Sequence, residues 1–316
     1  MRLPLLLVLA SAAVTSVSAT DRPIIGILAQ ETTPDIDALF PELNYTSYVQ
    51  ASYVQFVESA GARAAPVFVY RSQQYYEDMF RQLNGLLLPG GDSQLDSDGF
   101  GAAARAFWEL AHAHPEVHFP IWGTCQGHQE LAFLAGGTEV IGACDAQNQV
   151  VAVQPTSELD QSRLFANATD EELALFTVEP NVVMFHSNCV MPDSFSRLAT
   201  EFRSLATNDD RQGAPYVSIL EHLTLPIYGV QFHPEKAAYE WSTLARVSQF
   251  PHWPDAVAAS QYLANFLAAE ARRSQAAFAT ETAEQAALIY NYPAHFTGAR
   301  GSTFQMCYFF DDSEYM

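Results

Sequence analysis

The chain has 316 residues, of which 49% are hydrophobic, so it can bury a sizeable core and is not expected to be disordered. It carries 36 acidic and 15 basic residues, a formal net charge of −21, and Lys236 is its single lysine. This charge argues against binding to nucleic acid or to an anionic membrane surface, because affinity for phosphate groups depends on basic patches.

The first 19 residues have the pattern of a secretory signal peptide. Arg2 precedes an apolar run at residues 3–13, and residues 17–19 form a small-x-small cleavage site. The run is shorter than the ~20 residues that a membrane-spanning helix needs. We therefore expect residues 1–19 to be removed and residues 20–316 to be soluble, either secreted or delivered to the lumen of a vacuole or lysosome.

A secretory route permits both disulfide bonds and N-glycosylation. Glycosylation is predicted at Asn44 and Asn167, each of which begins an N-x-T sequon. The four cysteines are Cys125, Cys144, Cys189 and Cys307. If one of them is a free nucleophile, at least one of the other three is unpaired within the chain, and the sequence leaves the pairing open.

In the first half of the chain, short apolar segments alternate with amphipathic ones. Strands are predicted at residues 23–29, 64–70, 85–88 and 117–122. Helices are predicted at residues 45–60, 73–83, 101–113 and 126–134. Since the strands are apolar on both faces and alternate with helices, we expect a parallel sheet that is covered by helices on both sides.

The second half is less regular. Between residues 150 and 211 the sequence shows only short β-like and acidic helix-like pieces, such as 182–185 and 169–175. Two strands are predicted at residues 216–221 and 227–232, followed by an alanine-rich helix at residues 256–278. The chain contains no linker rich in Gly, Ser or Pro and no internal repeat, so we predict a single domain over residues 20–316.

Segment 122–127 (WGTCQG) lies between a predicted strand and a predicted helix. Its G-x-C-x-G pattern is the cysteine form of a nucleophile elbow, in which a sharp turn presents the nucleophile outward. Glycines on both sides avoid a clash with neighbouring backbone, and the N-terminus of the following helix favours a thiolate. We therefore predict Cys125 as a nucleophile, against the alternative of a buried structural cysteine.

Segment 231–236 (QFHPEK) follows another apolar strand. A thiol nucleophile needs a base within hydrogen-bond reach, and the base needs a group that orients it. His233 is suited to the first role, and Glu235 can turn back to the other ring nitrogen because Pro234 stiffens the link. A surface His-Pro turn is the alternative interpretation.

Segment 88–92 (LPGGD) follows the predicted strand at residues 85–88. Its two glycines free backbone N–H groups to face a ligand. Together with the amide of Gln126 they form a candidate oxyanion hole, for which an ordinary turn is the alternative.

These three elements, in this order, resemble the class I glutamine amidotransferase-like group, and within it the γ-glutamyl hydrolase family. The resemblance covers nearly all of residues 20–316. The resemblance is also carried by RPIIGI (22–27), ESAGAR (58–63), YEW (239–241) and ALIY (287–290), and by YGV (228–230), which precedes the QFHPEK element. The cysteine and the His-Pro-Glu element are shared by the wider group, whereas the extension to YEW and the ALIY segment indicate the narrower family.

The resemblance implies a flavodoxin-like, doubly wound α/β fold with a mostly parallel sheet, and no cofactor. It further implies that Cys125 attacks the γ-carbonyl of a folate poly-γ-glutamate. His233 would take the thiol proton and return it to the leaving amine, and Glu235 would orient His233. Water would then release the γ-glutamyl group from the enzyme. A homodimer is also implied by the family.

The remaining roles follow from the same resemblance. The amides of Gly91 and Gln126 would hold the oxyanion, and His186 would line the cleft, with a buried structural histidine as the alternative for the latter. The chain departs from the family at residues 126–129, where it has QGHQ instead of the usual LGFE. This change brings the motif closer to the glutaminases of the wider group.

A polyglutamate substrate and this chain are both anionic, so long-range attraction cannot assist binding. Local groups must bind the carboxylates instead. Lys236, beside the proposed base, is the main candidate, with Arg63 and Tyr48 as further ones. A solvated surface lysine is the alternative for Lys236.

Three histidines, His112, His114 and His118, lie close together in the sequence. We expect a solvated loop there and no metal site, because no cysteine or acidic residue completes a ligand set.

Three rival functions remain open at this stage. A glutaminase that passes ammonia to a synthetase is disfavoured by the predicted signal peptide. An inactive secreted binding glycoprotein is disfavoured because Cys125, His233 and Glu235 are all present. A general cysteine protease would need a peptide-binding groove that nothing in the sequence identifies. The sequence also leaves open whether cleavage is internal or terminal, and whether other γ-glutamyl compounds are substrates.

Overall fold

The fold is taken from a computed structural model that describes residues 20–41 and 45–312. The predicted signal peptide at residues 1–19 and the predicted glycosylation site Asn44 lie outside the described residues. Within those residues, no helix combines the length and the apolar character needed to cross a membrane.

The β-strands are, in chain order, β1 Ile24–Leu28, β2 Gln30–Glu31, β3 Ser47–Gln50, β4 Arg63–Val67, β5 Gly85–Leu88, β6 Ile121–Thr124, β7 Ile141–Val151, β8 Gln154–Pro155, β9 Val182–Val190, β10 Phe202–Asp209, β11 Pro215–His222, β12 Ile227–Val230, β13 Ala294–His295 and β14 Cys307–Phe310. The α-helices are α1 Pro34–Asp37, α2 Ala51–Ser59, α3 Gln73–Gln82, α4 Phe100–Ala113, α5 Gln126–Gly136, α6 Asp170–Thr177, α7 Lys236–Tyr239, α8 Pro254–Arg272 and α9 Glu281–Ala287.

The main sheet has a parallel centre and an antiparallel extension. Strands β4, β1, β5, β6 and β12 lie side by side in that order, and all four pairings between them are parallel. Strands β11, β10 and β8 continue the sheet antiparallel beyond β12, and β9 joins β11 and pairs with β7. The predicted parallel central sheet is therefore confirmed.

Helices cover both faces of this sheet. Within β1, Ile25 and Ile27 pack into one core cluster with residues of α2 and α8, while Ile24 and Leu28 pack into the other with residues of α3 and α4. Successive side chains of a strand point to opposite faces, so this alternation is what a strand buried on both sides requires. The predicted helical layers on both faces are confirmed.

The predicted helix at residues 45–60 is wrong at its start. Residues Ser47–Gln50 form strand β3, and the helix begins at Ala51. Strand β3 pairs antiparallel with both β2 and β14, so a partner from the C-terminal end of the chain decides its conformation. Sequence periodicity in a short window cannot detect such a distant partner.

Other boundaries also differ from prediction, and two of the larger differences are at the strand before Cys125 and at the long alanine-rich helix. The strand predicted at residues 117–122 begins only at Ile121, because the preceding segment forms a turn in which the N–H of Val117 donates to the carbonyl of His114. The helix predicted at residues 256–278 ends at Arg272.

The middle of the chain is more regular than its sequence pattern indicated. Strands β7 and β9 form a long antiparallel pair between residues 141 and 190. Most residues of β7 are only partly buried, on both faces, so the strand lacks the apolar alternation that would identify it.

A disulfide bond joins Cys144 of β7 to Cys189 of β9, with their Cα atoms 6.0 Å apart. Cys125 and Cys307 are free and buried. The pairing that the sequence left open is thereby assigned, and it ties together the two strands that form one wall of the cleft described below.

We expect the double variant Cys144→Ser/Cys189→Ser to unfold at lower urea concentration than the wild type. Its free energy of unfolding should be lower by about 2–4 kcal/mol, because the crosslink closes a long loop of the unfolded chain. Reductant should lower the wild-type midpoint toward that of the variant and leave the variant unchanged. Thiol titration in denaturant should find two thiols before reduction and four after. Four thiols without reductant would contradict the assigned bond.

Candidate active site

Cys125 stands in a strained turn between β6 and α5. Its φ is 51°, a left-handed conformation that non-glycine residues seldom adopt, and it is only 5% exposed. The Cys125 N–H donates to the carbonyl of Val230 at 2.8 Å, which fixes the turn against β12. A Cβ on Gly123 would lie 2.5 Å from backbone of Gly127, so the turn requires a glycine there. These features are those of a nucleophile elbow.

His233 lies just beyond β12, the strand that neighbours β6. A Cβ on Gly90 would lie 2.7 Å from Cε1 of His233 and 3.1 Å from Cβ of Cys125, so both side chains border this glycine. The Nδ1 atom of His233 lies 2.7 Å from Oε1 of Glu235. Because an ionised carboxylate only accepts hydrogen bonds, Nδ1–H is the donor, and Nε2 is left as the basic nitrogen.

Electrostatics favour a charged pair. Burial lowers the pKa of His233, but Glu235 and Cys125 raise it more strongly, to about 9. Burial alone would raise the pKa of Glu235, yet His233 and Lys236 hold it below its ordinary value. The dyad therefore keeps an ionised carboxylate against an imidazole that binds a proton readily.

The loop after β5 lies against the start of α5. Side-chain atom Oε1 of Gln126 accepts from Nε2 of Gln30 at 2.6 Å and from the N–H of Ser93 at 3.2 Å. Throughout residues 20–41 and 45–312, no protein acceptor is found for the backbone N–H groups of Gly91 and Gln126. Of these two predicted oxyanion donors, Gly91 lines the cleft described below, whereas Gln126 is not among its lining residues.

Tyr53 of α2 is a site residue that the sequence analysis missed. Its hydroxyl accepts a hydrogen bond from the N–H of Gly90 at 2.7 Å and lies 3.5 Å from Nδ1 of His233. Burial and the nearby Glu235 carboxylate raise the pKa of Tyr53, so the hydroxyl stays neutral. Nothing in the sequence separates Tyr53 from the other buried residues of its helix, because its role depends on two distant loops.

Lys236 is not a solvated surface lysine. It is 3% exposed, and Nζ lies 3.6 Å from Oε1 of Glu235. The rings of Phe250 and Phe304 face the ammonium, with their centroids at 5.1 and 5.3 Å. Lys236 borders the cleft, but its charge already has a protein partner.

A cleft of about 630 Å³ opens over Cys125. Residues that line it include the predicted Tyr48, Gly91, His186, His233 and Lys236. The predicted Arg63 is not brought there; it forms an ion pair with Glu284 at 2.5 Å.

His186 lines the cleft, but the residue is almost fully buried. Its Nδ1 donates to the carbonyl of Asn188 at 3.1 Å, and within the described part of the chain its buried Nε2 has no hydrogen-bond partner. Burial lowers the pKa of His186 to about 3, so the ring is neutral and Nε2 is an acceptor.

Arg246 is a second residue that the sequence analysis missed. It is exposed, lines the cleft, and forms no ion pair with any residue that the structure describes. It lies in the 3₁₀ turn Ala245–Val247, which is anchored because Val247 packs on Val183 and Phe250. No sequence motif identifies Arg246, because tertiary packing places its turn at the cleft.

One of the residues at positions 126–129, where the chain departs from the family pattern, lies at the cleft. Gln129 lines the cleft, and its Nε2 donates to the carbonyl of Asn188 at 2.6 Å. His128 is fully buried, and burial lowers its pKa to about 4. The first residue of α5 supports the loop after β5, while Gln129 braces the opposite wall.

The structure does not bring His112, His114 and His118 together. Each lies near a different carboxylate: Glu201 for His112, Glu116 for His114 and Glu270 for His118.

Two groups of potential metal ligands occur among the described residues, and neither has the right donors. In the first, the sulfurs of Cys144 and Cys189 form the disulfide, and no thiolate is left to bind a metal ion. In the second, Nδ1 of His222 accepts two backbone N–H groups, so its proton lies on Nε2 and points at Glu201. That nitrogen has no lone pair for a metal.

Comparison with known proteins identifies the family of the chain. The model of the peptidase C26 family matches residues 23–235. The γ-glutamyl hydrolase of Mus musculus is 37% identical over 297 residues, and that of Homo sapiens is 38% identical over 296 residues. Each alignment covers 92% of this chain and 90% of the relative.

One solved structure supports the fold assignment. The glutaminase domain of Trypanosoma brucei CTPS with bound acivicin has a TM-score of 0.51 at 17% identity, over 79% of this chain and 94% of that domain. The similarity in fold, the family match and the similarity in sequence are consistent with one another. The chain belongs to the peptidase C26 family, and the two curated relatives described above are γ-glutamyl hydrolases.

Proposed function

We propose that this protein is a cysteine hydrolase that cleaves the γ-glutamyl amide bonds of folate poly-γ-glutamates. The observation that carries the proposal is the strained Cys125 turn beside the buried His233–Glu235 pair. Relatives named γ-glutamyl hydrolase support the bond that is cleaved. Because the nucleophile is a thiol, the reaction passes through a thioester between the γ-glutamyl group and the enzyme.

In the proposed mechanism, Nε2 of His233 takes the proton of the Cys125 thiol, and the sulfur forms a bond to the γ-carbonyl carbon. The amides of Gly91 and Gln126 stabilise the resulting oxyanion. The C–N bond then breaks as His233 returns the proton to the leaving amine, leaving a γ-glutamyl thioester. Water attacks the thioester with His233 as base, which releases the acid and restores the thiol. No step requires a cofactor.

Substrate carboxylates need cations, because Asp35 and Asp92 also line the cleft and repel anions. Arg246 is suited to this role, since its guanidinium has five donors in a geometry that fits carboxylates. Neutral groups complete the site in this proposal: Tyr48 and His186, which line the cleft, border the bound substrate.

The proposed location is the extracellular space or the lumen of a vacuole or lysosome. The signal-like sequence at residues 1–19 and the Cys144–Cys189 disulfide support it, because such bonds persist in oxidising compartments. Asn167 is exposed, as a glycosylated residue must be. A homodimer remains part of the proposal on the basis of the family alone.

Replacement of Cys125 by Ala should abolish shortening of a folate pentaglutamate, since no other group can form the thioester. The measurement is product chain length by chromatography at acidic and neutral pH, with folding of the variant checked by circular dichroism. Release of ammonia from free glutamine by the wild type, without shortening, would indicate a glutaminase instead. Absence of both activities would favour a binding protein.

Glu235→Gln should lower kcat by about 10²–10⁴-fold, because His233 loses the group that holds its tautomer and stabilises its charge. The same variant tests the charged pair through stability. Since the pKa of His233 is raised to about 9, its contribution is complete below about pH 6.5 and is lost as pH rises toward 9. The wild-type free energy of unfolding should fall over that window, and that of Glu235→Gln should not.

Arg246→Gln should raise KM for a folate polyglutamate about tenfold or more, because a charge-assisted hydrogen bond contributes about 1.5–3 kcal/mol. The matched control is Arg81→Gln, which removes an exposed arginine paired with Glu77 on α3, away from the cleft. Equal KM values for wild type, Arg246→Gln and Arg81→Gln would eliminate Arg246 as a carboxylate-binding residue.

A further inference from the structure

Lys236 occupies an unusual position for the single lysine of a chain with net charge −21. It is almost fully buried at the start of α7, directly after the proposed orienting residue Glu235. A buried ammonium is costly unless it has partners, so the partners indicate what the residue does.

Those partners come from three parts of the chain. The Glu235 carboxylate lies 3.6 Å from Nζ. Phe250 faces the ammonium from the segment before α8, and Phe304 faces it from the segment before β14. Aromatic faces stabilise a desolvated cation without removing its charge, so the charge remains available to Glu235.

We propose that Lys236 is a positioning residue: its buried ammonium holds the Glu235 carboxylate ionised and aligned against His233. The inference rests on the catalytic roles proposed above for Cys125 and His233. It assigns Lys236 an action through Glu235, in place of the direct contact with substrate that its sequence position suggested.

The geometry at Glu235 supports this assignment. One oxygen, Oε1, receives both the His233 ring at 2.7 Å and the Lys236 ammonium at 3.6 Å. The other oxygen, Oε2, is buried and has no hydrogen-bond partner in the described part of the chain. The free-energy cost of burying this carboxylate is therefore offset mainly by two cations that share one of its oxygens.

Apart from His233, the titratable groups that interact with Lys236 are anionic or neutral. Burial raises the pKa of Glu240, and Lys236 acts in the opposite direction. Burial likewise raises the pKa of Cys307, again opposed by Lys236, so this thiol stays protonated. His233 is the cationic neighbour, and Lys236 works against its protonation.

The sign of the effect on the nucleophile follows from charge alone. An ionised Glu235 stabilises the His233 imidazolium, and the nearby ammonium favours a thiolate at Cys125, so both effects of Lys236 lower the pH at which the reactive thiolate–imidazolium pair forms. Without the cation, formation of the pair moves to higher pH. On His233 itself the direct repulsion by Lys236 and the support through Glu235 oppose each other.

The test is the rate of Cys125 alkylation by iodoacetamide as a function of pH in the full-length mature protein. Lys236→Met, which keeps the length and removes the charge, should move the alkylation midpoint upward by about one pH unit, or about tenfold in rate on the acid side. Lys236→Arg should restore most of the wild-type profile. Cys125→Ala reports background alkylation, which should be small because Cys307 is buried.

Alkylation requires no substrate, so its result stands even if the proposed hydrolysis fails. With substrate, the pH profile of kcat/KM should move in the same direction while KM changes little. A raised KM with unshifted profiles would show direct substrate binding and overturn the proposal.

Coincident alkylation profiles for wild type and Lys236→Met would overturn it too. If Lys236→Met does not fold, Phe304→Leu removes one aromatic face and should produce a smaller shift in the same direction. An unshifted profile in folded Phe304→Leu would then count against the proposal.

Discussion

The parallel pairing of β6 with β12 is the contact on which the site depends. Thr124 lies opposite Val230 at the end of this ladder, so the segments that follow the two strands leave the sheet at the same edge. The N–H of Cys125 then bonds to the carbonyl of Val230, and the ladder continues one residue into the strained turn. In open α/β sheets, the carboxyl ends of the strands are where ligands bind, and here that edge carries Cys125 and His233.

Close approach at this edge explains the glycines. Gly90 leaves room for both Cys125 and His233, and Gly123 lets the elbow pass over the start of α5. A side chain at Gly90 would clash with His233 and crowd Cys125. The glycines of these sequence motifs are thus required because the backbone is crowded around the Cys125 sulfur.

Burial of charge is the second constraint. Glu235, His233 and Lys236 are all nearly inaccessible, although each would prefer water when alone. They are tolerated as a set because each ionised member faces an opposite charge, a ring or a hydroxyl. The C-terminal segment takes part, since Phe304 covers Lys236 and β14 pairs with β3 beside the cleft. Segments from the N-terminal and C-terminal parts of the chain therefore complete a site whose proposed reacting residues lie between them in the sequence.

The sequence by itself determined the elements whose signals are local. The parallel strands, their helices, the elbow at Cys125 and the His233–Glu235 pair all follow from periodicity or from spacing of a few residues. Only the tertiary structure decided the rest: the Cys144–Cys189 bond, the strand at Ser47–Gln50, and the places of Tyr53 and Arg246. These depend on partners many residues away, and a contact between distant segments leaves no periodic trace in either of them. The charge of Lys236 was visible in the sequence, but its burial against Glu235 was not, because burial is a property of the packed chain.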